Sequence, residues 1–281
     1  MDANKITKFK QVKDVRNPST IVFFDFDETY YPHELNPHRY DKLRELENYL
    51  LNQSEEGKLV FGWVTGSSVE SAMDKMETGG LSLLPHFIAS SLGTEITYFH
   101  ENSFNKKDRE WKGFLDQTIF SPALVDRIVK SLEEEHSIFL KAQTNLGDAP
   151  YKKNFYYQEE SSSVDEINLD TIRKNAYHNG IAVNINKCNP LAGDPEDSYD
   201  IDFIPLGTGK EEIVAFMLRK YQVNKANAFA FGDSGNDLRM LHAVGNGFLV
   251  ANATEEAKSK YSKQSLGSYS EGILHTLRSL N

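Results

Sequence analysis

Four short apolar runs, Ile21–Phe24, Leu59–Val64, Phe87–Ala89 and Ala228–Phe231, each end abruptly at polar residues. Short continuous runs of this kind suit strands buried on both faces. Around them the period lengthens to that of a helix. Leu43, Leu46 and Leu50 mark one helix after the first run. Val214, Met217, Leu218 and Tyr221 give the i, i+3, i+4, i+7 stripe of another. Such alternation predicts an α/β fold with a parallel sheet.

After Gly93 the pattern changes. A polar stretch around Asn102–Glu110 leads into a helix striped by Val125, Ile128, Val129 and Leu132. Strand-like segments follow at Asn154–Gln158, Ile181–Ile185 and Tyr199–Ile204. Between the first two, Asp165–Asn179 reads as a helix closed by Gly180, where a left-handed backbone is tolerated. This middle portion is expected to be an α+β insertion over residues 92–204, leaving 1–91 and 205–281 to build one discontinuous core. Ser161–Ser163 and the GDPEDS run at 193–198 read as loops.

Composition narrows the picture. The chain has 281 residues and a single cysteine, Cys188, which excludes an internal disulfide and a thiolate zinc site and fits a reducing, cytoplasmic setting. Met1–Asn17 is polar, without the apolar core of a secretory signal. No apolar stretch approaches the roughly 18 residues of a membrane span. A formal net charge of -10 argues against nucleic acid or an anionic membrane as partner. The remaining expectation is a small-molecule ligand; oligomeric state is not readable.

Candidate chemistry gathers where the apolar runs stop. Asp25 and Asp27 follow the first run, at the carboxyl edge where open α/β sheets bind ligands, and residues two apart in extended chain point to one side. The run Ala228–Phe231 leads into Gly232-Asp233-Ser234-Gly235-Asn236-Asp237, delivering more carboxylates. A few hard oxygen ligands suit Mg²⁺. A lone acidic pair is usually a solvated turn or a cap, but two clusters that each follow a buried strand favour a site. Trp63-Val64-Thr65-Gly66-Ser67-Ser68 supplies a hydroxyl and a glycine that could bring backbone N–H groups to a phosphate; Ser67 or Ser68 could equally cap a helix. Gly207-Thr208-Gly209-Lys210 is not a P-loop, because Ile204 stands where its first glycine is required and Glu211 where its hydroxyl is. Lys210 instead opens the helix striped by Val214 and Tyr221, where it can place a charge beside a phosphate.

In this order DFDET, VTGSS, GTGK and FGDSGND resemble the four motifs of the haloacid dehalogenase superfamily, in its phosphatase branch with a large cap between the second and third motifs. GTEI, KKNFYY and DFIP are similar to sucrose-phosphate phosphatases, while HFIASSLGTEITYF, NFYYQE and NPLAGDPEDSYDIDFIP resemble phosphatases of amino-sugar phosphates from antibiotic biosynthesis. The resemblance implies a doubly wound, Rossmann-like core and a cap that sets substrate specificity. It implies an Mg²⁺-dependent sugar-phosphate phosphatase with Asp25 as nucleophile and Asp27 as general acid and base. By the same resemblance Asp25, Asp233 and the backbone carbonyl of Asp27 hold the metal, supported by Asp237. Thr65, Gly66, Lys210 and Asn236 would bind the phosphate. Glu28 and Ser67 depart from the family pattern toward a more acidic site, suiting an ammonium-bearing sugar. In the cap, Lys152, Asp200 and Asp202 match positions near the sugar. The same motifs also serve phosphomutases, so hydrolysis and transfer both stand at this point, beside a non-catalytic phosphate-binding regulator.

Overall fold

The computed structural model describes residues 9–101, 103–143, 149–188 and 195–279. They fall into two compact units, Met1–Arg109 with Lys210–Asn281, and Glu110–Gly209.

The first unit is organised by a seven-stranded sheet. In chain order its strands are β1 (Thr20–Phe24), β2 (Leu59–Val64), β3 (Phe87–Ser90), β4 (Glu95–Tyr98), β5 (Lys106–Lys107), β10 (Ala228–Gly232) and β11 (Asn246–Leu249). They lie in the order β11-β10-β1-β2-β3-β4-β5. The first five in that order run parallel, and β4 and β5 add antiparallel edges. The four apolar runs are thus the four central strands. Helices α1 (Pro37–Glu55), α2 (Val69–Thr78), α6 (Lys210–Tyr221), α7 (Leu238–Ala243), α8 (Glu255–Lys260) and α9 (Tyr269–Ser279) complete this unit. Asn36 caps α1, its side chain accepting from the Arg39 N–H, and Pro37 opens the first turn, where no backbone N–H is needed. Leu43, Leu46 and Leu50 are the buried face, as expected. In α6 the buried stripe is Ile213, Val214, Phe216 and Met217, so it is rotated from the Leu218 and Tyr221 edge of the expected one.

The second unit has a four-stranded antiparallel sheet, order β6-β7-β9-β8, from β6 (Leu140–Ala142), β7 (Lys153–Gln158), β8 (Ile181–Lys187) and β9 (Ser198–Pro205). Helices α4 (Pro122–His136) and α5 (Ser162–His178) belong to it, and α3 (Arg109–Leu115) spans the boundary. Val125, Ile128 and Leu132 of α4 pack with Phe155, Ile172, Ile201 and Phe203 in a core of its own. Gly180 follows α5 at φ 70°, the left-handed conformation expected there.

The insertion therefore starts later than its sequence pattern suggests. Residues 92–109 were expected in it, but β4 and β5 extend the first unit's sheet, and the return falls at 209/210 rather than 204/205. A polar hairpin at a sheet edge carries little hydrophobic signal. Asn102, Gly193 and Asp194 lie outside the described residues, as do Met1–Lys8 and the NPLAGD part of the resemblance.

Candidate active site

Chain order runs β1, β2, β3 to one side of the sheet, then returns to β10 and β11 on the other side of β1. This is a topological switch point, the place where open α/β sheets bind their ligands. Phe24 pairs with Phe231 on one side and Trp63 on the other. Asp25, Asp233 and Thr65 consequently leave the sheet along one edge, from three adjacent strands.

The carboxylates meet there around one ammonium. Lys210 Nζ donates to Asp25 Oδ1 at 2.6 Å, to Asp237 Oδ1 at 2.5 Å and to Asn236 Oδ1 at 3.3 Å. The lysine side chain is 4% exposed, so the first helical turn of α6 delivers a buried charge and not a solvated one. Asp233 Oδ1 accepts from Thr29 Oγ1 at 2.8 Å. Asp237 is fully buried, and its Oδ2 accepts from the backbone N–H groups of Asp233 and Ser234, both at 3.0 Å. It clamps the loop that carries Asp233. Only glycine fits at 232, because a Cβ there would lie 2.3 Å from the Asp237 Cβ.

Ligand oxygens of Asp25, Asp233 and Asp237 lie within 4.8 Å of one another. Three carboxylates against one ammonium leave two negative charges unbalanced in a buried space, which a divalent cation would neutralise. The titration behaviour has the same origin. Burial, with Asp237 and Asp27 adding to it against Lys210, pushes Asp25 up to about 7, and burial with neighbouring carboxylates pushes Asp233 well up. Burial alone would push the Lys210 ammonium down, but Asp237 and Asp25 outweigh it and hold it above its ordinary value. The donor set therefore fits a small hard cation.

Asp27 is the more open carboxylate. Ser67 Oγ donates to its Oδ2 at 2.9 Å, and Lys75 Nζ pairs with its Oδ1. Thr65 Oγ1 accepts from the Ser67 N–H at 3.0 Å, tightening the turn that includes Gly66. Ser68, and not Ser67, caps α2, accepting from the Ser71 N–H. Glu28 holds its loop through three hydrogen bonds. Its Oε1 accepts from the His33 N–H at 2.8 Å, its Oε2 from Tyr269 Oη at 3.1 Å, and its carbonyl from Asn252 Nδ2 at 2.7 Å. At φ 59° it is the strained corner of the loop leaving β1, tied to the start of α9.

In the second unit Lys152, Asp200 and Asp202 gather on one part of the sheet. Asp202 is 7% exposed and holds Asn184 Nδ2 at 3.3 Å, the Asn154 amide, and Lys152 Nζ at 3.8 Å. Burial raises its pKa, against Lys152 and the two amides. Asp200 Oδ1 accepts from Gln143 Nε2 at 2.6 Å. Sequence reasoning missed Thr29 and Lys75. Thr29 lies inside DFDET and could have been suspected as a hydroxyl beside carboxylates, whereas Lys75 carries no local signal.

Comparison with known proteins gives this geometry a lineage. The family model Sucrose-6F-phosphate phosphohydrolase matches residues 18–280. The chain belongs to that family. A kanosamine-6-phosphate phosphatase of Bacillus subtilis (strain 168) is 53% identical to this phosphohydrolase over 277 residues, 99% of this chain and 98% of its own length. A haloacid dehalogenase-like hydrolase structure from Bacillus subtilis superposes with a TM-score of 0.80 at 51% identity, covering 99% of this chain and 97% of that one. A sucrose-phosphatase from Synechocystis, solved with sucrose and phosphate, has TM-score 0.71 at 18% identity over 93% of this chain and 98% of its own, which speaks for the fold. The phosphohydrolase is thus a phosphoric monoester hydrolase of the haloacid dehalogenase type, which removes the regulator reading. Among its described residues no helix is long and apolar enough to cross a membrane.

Proposed function

We propose that this phosphohydrolase is an Mg²⁺-dependent sugar-phosphate phosphatase that works through an aspartyl phosphate on Asp25, with kanosamine 6-phosphate as its substrate. The observation that carries the reading is the buried Lys210–Asp25 pair beside Asp233 and Asp237, in a chain 53% identical to a phosphatase of that ester. Asp25 attacks phosphorus, and its carboxylate is held in line by Lys210. Asp27 gives a proton to the departing sugar oxygen, then takes one from the water that attacks the phosphorylated Asp25. Thr65, the Gly66 backbone, Lys210 and Asn236 bind the transferred group, whose transition state is stabilised by position and charge. Asp25, Asp233 and the Asp27 carbonyl are the cation's ligands, and Asp237 fixes the loop bearing Asp233. When bound, the cation neutralises charge so that carboxylate and phosphate can approach. Residues 110–209 set substrate specificity, with Lys152, Asp200 and Asp202 as the residues that read the sugar.

Phosphate release with Mg²⁺ from kanosamine, glucosamine, glucose and sucrose 6-phosphates, with a chelated control, tests the proposal. A large preference for the first supports the full reading. Similar rates on all four reduce it to a generalist sugar phosphatase, whereas phosphate appearing on a second sugar would favour a phosphotransferase, and on another hydroxyl of the same sugar a phosphomutase.

A further inference from the structure

Asp27 differs from the other carboxylates of the site. Its side chain is 39% exposed against 10% for Asp25, and it stands on a loop. A carboxyl so placed can turn among rotamers, whereas proton transfer requires it within about 3 Å of the leaving oxygen. Two side chains restrain it, and both belong to the segment after β2. Ser67 Oγ reaches Oδ2 from the loop, and Lys75 Nζ reaches Oδ1 from α2. Lys75 lies between Ala72 and Met76, which are buried in the core, so its backbone is anchored although its side chain is 40% exposed. Water screens such an ion pair, which therefore adds little to stability. Its consequence lies in position.

We propose that Lys75 is a positioning residue for phosphoryl transfer, an inference that rests on Asp27 being the general acid. An ammonium only donates, so Lys75 keeps Oδ1 as the acceptor oxygen of the neutral carboxyl and confines the proton to Oδ2. The Ser67 hydroxyl, donor and acceptor alike, accommodates Oδ2 in either protonation state. As the Asp25–phosphorus bond forms and the bond from phosphorus to the sugar oxygen breaks, the Oδ2 proton passes to that oxygen. Lys75 keeps its own protons throughout.

The test is leaving-group dependence. A sugar alkoxide needs a proton to depart and p-nitrophenolate does not, and kcat/KM reports the phosphorylation step for both esters. Asp27→Asn calibrates the scale, losing far more on kanosamine 6-phosphate than on p-nitrophenyl phosphate. Lys75→Met is expected to lower the ratio of the two kcat/KM values about 10-fold or more, a part of the 10²–10⁴-fold available to general acid catalysis. Ser67→Ala should lower the ratio in the same direction, and Lys75→Arg should largely restore it. If Asp27→Asn is selective while Lys75→Met loses equally on both esters, or loses nothing, Lys75 does not position the acid. If Asp27→Asn itself is unselective, the acid assignment falls and this inference falls with it.

Discussion

Glu28 illustrates how a residue's neighbours decide its role. Its acidity in the sequence suits a substrate ammonium, yet each of its carboxylate oxygens already accepts one hydrogen bond, from His33 N–H and Tyr269 Oη, which gives the side chain a loop-holding role. Glu28→Gln should therefore reduce activity on kanosamine 6-phosphate and glucose 6-phosphate by the same factor, and Tyr269→Phe should do likewise. A loss confined to the amino sugar in kcat/KM measurements would return Glu28 to the amine-reading role. Asp25, Asp233 and Lys210 were legible because each stands at the end of a buried strand or the start of a striped helix. Lys75 was not, since its meaning comes from a partner 48 residues away, and Thr29, although it lies inside DFDET, takes its role from a partner 204 residues away.

Elements were legible in proportion to the apolar surface they bury. The four central strands announce themselves, while β4, β5, β6 and β11 are short, or polar, or at an edge, and cross-strand packing rather than local pattern creates them. The β2–β3 pair is tight enough to test. A Cβ at Gly62 would lie 2.2 Å from the Phe87 ring, so Gly62→Ala should cost about 1–3 kcal/mol or more in urea unfolding. Nearby His86 is fully buried and pushed down to about 3, by burial first and then by His100. The Phe61 N–H donates to its Nδ1, so Nε2 carries the proton and faces Ser54 Oγ at 3.0 Å. Above about pH 6.5 the ring is neutral in folded and unfolded chains alike. As pH falls from there toward 3, only the unfolded chain takes up the proton, and folding weakens by up to about 1.4 kcal/mol per unit. Between pH 7 and 5 the wild type should lose about 2 kcal/mol more than His86→Gln, measured by urea unfolding at each pH. Equal losses would show that the imidazole titrates normally in the fold.

At the scale of the whole molecule, the sheet exists with an electrostatic debt at its carboxyl edge, three carboxylates around one lysine. Without a cation, native Asp25 keeps a proton up to about pH 7, whereas the unfolded carboxyl releases it near its ordinary ~3.9. The contribution of Asp25 to the stability of the chelated protein should therefore fall as pH rises between those values and stay low above them, opposite in sign to that of His86. Mg²⁺ takes the proton's place, so the melting-temperature difference between Mg²⁺ and chelator should widen from pH 5 to pH 8. A difference independent of pH would mean that the cation binds elsewhere. The α/β core and its α+β insertion were legible from the change of period after Gly93, but the boundaries moved because an edge hairpin is polar. Whether Asp25 carries the phosphoryl group is decided most directly by trapping it. Asp27→Asn removes the base for the second step, so after brief reaction with p-nitrophenyl phosphate and Mg²⁺, acid quench and peptide mass spectrometry should find phosphate on the peptide containing Asp25. Phosphate on another residue, or undiminished turnover in Asp25→Asn, would contradict the account.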